Sequence, residues 1–140
     1  MQSLTLVKAK QTDIDFLFDL RKQTMAVHLE NAGIPMNDIA HKARIYYRFN
    51  YIYILWSNNQ KVGMIKYKEE DTTSEIMQLQ VLPKYQGQGI GKQVIQKVIE
   101  NSKKVTLKVL KQNPAKDLYT RCGFIITGQD DHEFFMEYNS

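Results

Sequence analysis

The sequence predicts an α/β (α+β) domain in which six to seven short strands alternate with about four helices. Three observations carry that prediction. Runs rich in β-branched and aromatic residues, such as Tyr51-Ile52-Tyr53-Ile54-Leu55-Trp56, recur along the chain. Between them lie stretches whose apolar residues return every three or four positions, the period of a helix with one buried face. One passage, Val81-Leu82-Pro83-Lys84-Tyr85-Gln86-Gly87-Gln88-Gly89-Ile90-Gly91-Lys92, sets three glycines between a strand and a helix. A chain of 140 residues, 43% hydrophobic and 24% charged, has the length and apolar content for one packed core, so residues 1–140 read as one domain.

Taken in order, Leu4 to Ala9 reads as an opening strand. Thr12 is placed to cap the first helix, with Asp13 and Asp15 in its first turn, where the helix dipole favours acids. Ile14, Leu17, Phe18, Met25 and Leu29 form its apolar stripe, interrupted by Arg21, and Asn31-Ala32-Gly33-Ile34-Pro35 stops it. A second helix runs from Asn37 towards Arg48. Tyr51 to Trp56 is a strand, Ser57 to Gln60 a turn, Lys61 to Glu69 its return, and Glu70 to Ser74 a further turn. Glu75 to Val81 leads into the glycine loop. The helix over Gly89 to Lys103 carries Ile90, Val94, Ile95, Val98 and Ile99 on one face. Val105 to Val109 is a strand. Asn113-Pro114 opens a short helix that Gly123 ends, with asparagine as cap and proline at its first position. Phe124 to Thr127 and Glu133 to Tyr138 complete the sheet.

Composition excludes several classes of function. No apolar run reaches the roughly 18 residues of a membrane span, and Met1-Gln2-Ser3-Leu4 lacks the basic and apolar regions of a signal peptide. The expected location is the cytoplasm. One cysteine excludes an internal disulfide and a multi-cysteine zinc site, and His28, His41 and His132 lack metal-ligand spacing, so no metal is expected. The net charge of +4 is concentrated: nine basic residues face two acidic ones between positions 84 and 121. This places positive charge around the glycine loop, as a polyanionic ligand would require. Nucleic acid fits less well, because the lysines are spread over several faces with no dense basic run.

A strand–glycine loop–helix passage aims unpaired N–H groups and the positive end of a helix dipole at one point, which suits a phosphate. Two common versions fail here. The dinucleotide fingerprint G-x-G-x-x-G is incomplete in both registers, and the nucleotide-triphosphate loop has Gln86 and Gln93 where glycine and a hydroxyl residue are needed. What remains, Gln86-x-x-Gly89-x-Gly91 after a hydrophobic-x-Val-x-Pro strand end, resembles the acetyl-CoA pyrophosphate loop of the GNAT superfamily of N-acetyltransferases. Asn113-Pro114-Ala115-Lys116-Asp117-Leu118-Tyr119-Thr120-Arg121-Cys122-Gly123-Phe124 resembles a second motif of that family, with alanine one place early. The element order β-α-α-β-β-β-α-β-α-β-β matches its fold.

The resemblance implies a mixed, mostly antiparallel sheet, splayed between the strand before the glycine loop and the strand after its helix. Acetyl-CoA is the implied co-substrate. Its diphosphate would be held within Gln86, Gly87, Gln88, Gly89, Gly91 and Lys92, and its pantetheine by freed backbone groups at Leu79 and Val81. Asn113 and Lys116 would contribute further contacts. Family members also imply a β-bulge within Gln78 to Val81, a tyrosine acid at Tyr119 that protonates the departing thiolate, and a general base at Glu75. A phenol with a pKa of about 10 is protonated at neutral pH and can donate. Read alone, Glu75 equally fits an exposed strand-leading carboxylate, and Gln78 and Gln80 equally fit a solvated sheet face or a polar cleft. The implied activity is acetyl transfer to a primary amine, small molecule or peptide, by direct attack in a ternary complex. A non-catalytic acetyl-CoA sensor or partner-binding module of the same fold is the alternative. Asp130-Asp131 could attract a cationic acceptor or merely be a solvated turn, Cys122 reads as a core residue, and the resemblance allows a homodimer.

Overall fold

The computed structural model describes residues 3–31 and 37–140, and all of their side chains except those of 25–31. Among them lie seven strands and four α-helices: β1 (Leu4–Lys8), α1 (Ile14–Asn31), α2 (Asp38–Tyr46), β2 (Ile52–Ser57), β3 (Gln60–Glu70), β4 (Thr73–Val81), α3 (Ile90–Glu100), β5 (Lys104–Leu110), α4 (Ala115–Arg121), β6 (Ile125–Gln129) and β7 (Glu133–Asn139). They form one sheet in the order β1-β2-β3-β4-β5-β7-β6. Every neighbouring pair is antiparallel except β4 and β5. The expected mixed, mostly antiparallel architecture is present.

Local chemistry sets the element ends. Asn37 caps α2, its Oδ1 accepting the Ala40 N–H at 2.9 Å. Thr12 does not cap α1: a 3-10 turn over Gln11–Asp13 precedes the helix, and the Asp13 carboxylate accepts the Lys10 N–H at 2.8 Å. A carboxylate there answers both the free donor and the dipole. The β2–β3 hairpin turns on Asn58 and Asn59, both at positive φ (51° and 64°), so Ser57 and Gln60 belong to the strands. Two left-handed asparagines give a turn whose twist matches the flanking strands. Asp71 (φ 54°) turns β3 into β4, which therefore begins at Thr73. The second helix ends at Tyr46, because Tyr47 is extended and Arg48 left-handed (φ 53°). The stop at 32–35 and the Met25 and Leu29 side chains lie outside what is described.

Strand alternation divides the core into two layers. On one face, α3 and α4 cover Leu55, Val62, Ile65, Ile76, Val105, Leu107 and Val109 with Ile90, Val94, Ile95, Val98 and Tyr119. On the other, α1 and α2 cover Ile52, Ile54 and Met64 with Leu17, Leu20 and Ile45. Leu20, Leu55, Ile65, Val94 and Ile95 are fully buried, each worth about 1.5–3 kcal/mol relative to exposure. Tyr46 and Tyr47 are about half exposed (50% and 56%). They flank the end of α2, beyond the sheet.

Candidate active site

The central pair of strands diverges. β4 and β5 are paired only from Thr73↔Lys104 to Ile76↔Leu107, and from there each continues without the other. The register of β4 against β3 slips at this point, leaving Met77 as an extra residue between the pairs Tyr67↔Ile76 and Lys66↔Gln78. This is a β-bulge, a device that bends a strand and redirects its free groups. It lies one residue before the expected stretch Gln78 to Val81. Leu82 N–H bonds Val62 O at 2.9 Å. Antiparallel strands alternate bonded and non-bonded pairs, so the backbone groups of Leu79 and Val81 face away from β3, into the split. The Val81 carbonyl there accepts Gln86 Nε2 at 2.9 Å.

Gly87 (φ 79°) and Gly89 (φ 80°) take left-handed conformations that carry the chain from the strand end to α3. Gly89 is the helix cap, and the first intrahelical bond runs from Gln93 N–H to Gly89 O at 3.1 Å. The N–H groups of Ile90, Gly91 and Lys92 thus have no carbonyl of their own helix to bond. They face a groove of about 480 Å³ whose lining includes Leu79, Gln80, Val81, Gln86, Gly87, Gly89, Ile90, Gly91, Lys92, Asn113, Pro114 and Ala115. Arg121 lines it too and adds a second cation to Lys92. A donor-rich helix end with two cations suits a diphosphate, and an apolar channel along a freed strand edge with outward amides suits an amide-bearing arm. The residues present therefore fit acetyl-CoA.

A second cavity, about 280 Å³, opens in the split itself, lined by β4 from Ile76 to Gln80, β5 from Leu107 to Leu110, Asn113 and Tyr119, with Arg21, Arg44 and Glu133. It shares Leu79, Gln80 and Asn113 with the groove. Tyr119 is 4% exposed. Its position follows from the end of α4: Gly123 (φ 99°) turns the chain back, and Phe124 N–H bonds Tyr119 O at 3.1 Å, a glycine helix stop of the Schellman kind. The Tyr119 ring then packs on Phe124 at 5.7 Å between centroids. Burial, followed by the neighbouring Cys122 thiol, pushes its pKa upward. The hydroxyl is therefore held in its donor form.

Most of the residues singled out in the sequence converge here. Leu79, Val81, Gln86, Gly87, Gly89, Gly91, Lys92 and Asn113 line the groove, and Tyr119 the adjoining cavity. Gln88 and Lys116 line neither: Gln88 Nε2 turns back to Lys84 O at 3.5 Å, and the Lys116 ammonium sits 5.1 Å over the Phe134 ring. Ala115 takes the groove position instead. Glu75 is exposed in the still-paired part of β4 and lines neither cavity. Tyr46 and Tyr47 line neither cavity as well. Asp130 is engaged in its own turn, accepting the N–H groups of His132 (2.9 Å) and Glu133 (2.7 Å). Cys122 is half-buried on the groove wall, its thiol pKa raised by burial. Gln78 and Gln80 do face a polar cleft. Arg21, Arg44, Glu133 and Arg121 received no role from sequence. The interrupted stripe at Arg21 was the one available signal.

Comparison with known proteins points the same way. A model of the acetyltransferase (GNAT) domain matches residues 48–126. The uncharacterized N-acetyltransferase YvbK of Bacillus subtilis is 31% identical over 93 residues, 61% of this chain and 59% of that protein. The match thus spans less than two thirds of that relative. Among solved structures, the PaiA N-acetyltransferase of Thermoplasma acidophilum in complex with coenzyme A superposes with a TM-score of 0.76 at 19% identity, over 99% of both chains. Arabidopsis thaliana Naa50 in complex with the bisubstrate analogue CoA-Ac-MVNAL gives 0.71 at 20% identity, again over 99% of both. These two show the shared fold. With the domain model covering more than half of the chain, the protein belongs to the GNAT acetyltransferase family.

Proposed function

We propose that this protein is an N-acetyltransferase that moves the acetyl group of acetyl-CoA to a primary amine, of a small molecule or a peptide, within a ternary complex. One observation carries the reading: two contiguous cavities meet along the freed edge of β4, one shaped for a diphosphate and its arm, the other containing a buried phenol. The N–H groups of Ile90, Gly91 and Lys92, with Lys92 and Arg121, hold the diphosphate. Leu79 and Val81 supply main-chain groups to the arm, and the Leu79 N–H receives the thioester oxygen as it gains charge. Asn113 stiffens the far wall, its Oδ1 accepting the Ala115 N–H at 2.9 Å. Tyr119 gives its proton to the departing thiolate sulfur and recovers one from the amine side or from water.

The amine must attack in its neutral form, so a proton acceptor is required. Glu133 is the carboxylate that lines the cavity, while the exposed Glu75 reaches the amine only through water. Glu133→Gln and Glu75→Gln, compared as pH–rate profiles, separate the two: the true base loses its acid limb. Calorimetric titration with acetyl-CoA followed by a thiol-release assay against an amine panel tests the whole reading. Micromolar binding with turnover of an amine supports it. Binding without turnover of any amine favours the sensor, and no binding removes the groove assignment.

A further inference from the structure

Among the described residues, the face of the split that α1 and α2 cover is cationic. Arg21 is 2% exposed and lines the cavity together with Arg44 and Lys108, against a single lining carboxylate, Glu133, among the described residues. Lys66, also 2% exposed, lies behind them on β3, its ammonium donating to Arg44 O (2.9 Å) and Tyr47 O (2.7 Å). Arg21 Nε donates to His41 Nδ1 at 3.0 Å, so the one ring nitrogen it uses is an acceptor and the imidazole brings no negative charge. Burial and then the charges of Arg21, Arg44 and Arg48 push the Lys66 pKa down to about 8. Lys66 and Arg44 therefore carry like charges close together, and Glu133 is the one carboxylate in the cavity lining among the described residues. Gln80 is 5% exposed, lines the same cavity, and its Nε2 has no hydrogen-bond partner. An unpaired buried donor costs about 1–3 kcal/mol until something accepts from it.

The geometry points to an acceptor that carries an anionic group, a carboxylate or a phosphate, beside the amine it offers for acetylation. The anion sits against the Arg44 guanidinium and accepts from Gln80 Nε2, while the amine reaches through the split towards the thioester and Tyr119. The topology requires that direction. Tyr119 comes from the layer under α3 and α4, whereas both arginines come from the helices on the opposite face. A guanidinium presents a planar pair of donors that matches a carboxylate or phosphate edge. A cationic acceptor such as a polyamine would meet like charge at this wall, and Asp130, the sequence-level attraction for one, is turned to its own backbone. This inference rests on the acetyl-transfer reading above.

Matched amine pairs test it with acetyl-CoA saturating: glycine against glycinamide and β-alanine against β-alaninamide for the carboxylate, phosphoethanolamine against ethanolamine for the phosphate, compared at equal concentration of free amine. The expected result is a kcat/KM at least about 10-fold higher for the anionic member of one set, the size of a charge-assisted hydrogen bond. The winning set names the anion. Arg44 is exposed on α2, so Arg44→Glu leaves the core intact, with acetyl-CoA binding as the check of folding. That substitution erases the anionic preference, and Arg44→Lys restores part of it. Equal or better turnover of the uncharged members, or a preference that survives Arg44→Glu, overturns the inference. So does a protein that binds acetyl-CoA and acetylates only cationic polyamines or no member of any pair. A protein that fails to bind acetyl-CoA loses the transfer reading first, and this inference with it.

Discussion

The two cavities that meet at β4 are built in opposite ways. The groove offers main-chain groups along its length: N–H groups at the start of α3, left-handed glycines before it, and strand-edge amides at Leu79 and Val81. It is drawn mostly from one continuous passage, residues 79–92, and a short second stretch from Asn113 to Cys122. The cavity across the split is made of side chains from distant elements: Arg21 on α1, Arg44 on α2, Gln80 on β4, Tyr119 on α4 and Glu133 on β7. Main chain is the same whatever the residue, so a backbone-built site suits a ligand that stays constant. A side-chain-built site can change its preference by single substitutions while the fold stays as it is. The proposed transfer reaction calls for that division of labour between its cofactor side and its acceptor side.

The most damaging test of the backbone-built half is Gly89→Asp. Open space surrounds a Cβ added there, and aspartate tolerates positive φ better than most residues, so the fold should survive. The new carboxylate would stand at the helix end proposed for the diphosphate. Two like charges at about 4 Å repel by about 4 kcal/mol at an effective dielectric near 20, which is about 10³-fold in affinity. Calorimetry with acetyl-CoA measures it, and retained micromolar binding would remove the loop from the site. Across the split the comparable test is Tyr119→Phe. Loss of the proton donor should lower kcat by about 10²-fold with acetyl-CoA binding unchanged. An unaltered single-turnover rate would take the phenol out of the reaction.

A third substitution strikes the strand both halves share. Gly63 lies opposite Val81, and a Cβ at this position would collide with the Gln80 carbonyl oxygen. That oxygen belongs to the backbone and cannot swing aside. Gly63→Ala should therefore cost about 1–3 kcal/mol of stability, in the range of overpacking, and weaken both sites together. Urea unfolding gives the first quantity. If stability falls while acetyl-CoA binding and amine preference both hold, the two cavities depend on β4 less than their shared lining implies.

The contrast in construction also explains what the sequence could reveal. Gly87, Gly89, the strand end and the Asn113–Gly123 helix announce themselves because each signal is local: a conformation, a cap or a stop decided within a few residues. Fold order was legible for the same reason, through stripes such as Ile90, Val94, Ile95 and Val98. Thr12 and Asp13 compete for the same cap, and only the Lys10 contact decides between them. Tyr46 and Tyr47 are aromatic yet half exposed, since their burial depends on where α2 ends over the sheet. The cationic wall is harder still. Arg21, Arg44 and Lys66 are twenty or more residues apart, and nothing in the spacing says that they meet. The interruption of the α1 stripe at Arg21 marks a buried guanidinium only once the opposing helix and strand are known.

The cationic wall leaves a trace in stability that needs no ligand. Lys66 is held at a pKa of about 8 against an ordinary 10.5, first by burial and then by the charges of Arg21, Arg44 and Arg48. Between those two values the unfolded chain binds a proton at this lysine that the folded chain has released. The Lys66 contribution to stability therefore rises as pH goes from about 8 to 10.5, and below 8 the charged lysine opposes folding. The full effect is about 1–3 kcal/mol, tempered because the ammonium retains two carbonyl partners. Tyr67 (raised to about 12), Tyr119 and the Cys122 thiol, all raised by burial, lose their protons first in the unfolded chain, so they oppose this rise from about pH 9 upward, in the parent and in a Lys66 variant alike. Lys66→Met removes the titrating group and keeps the apolar stem. Measured from pH 7.5 to 10.5, the urea midpoint of the parent protein should climb relative to that of the variant. Parallel slopes in the two would show that Lys66 carries no such cost, and its charge would then be met by groups other than those named.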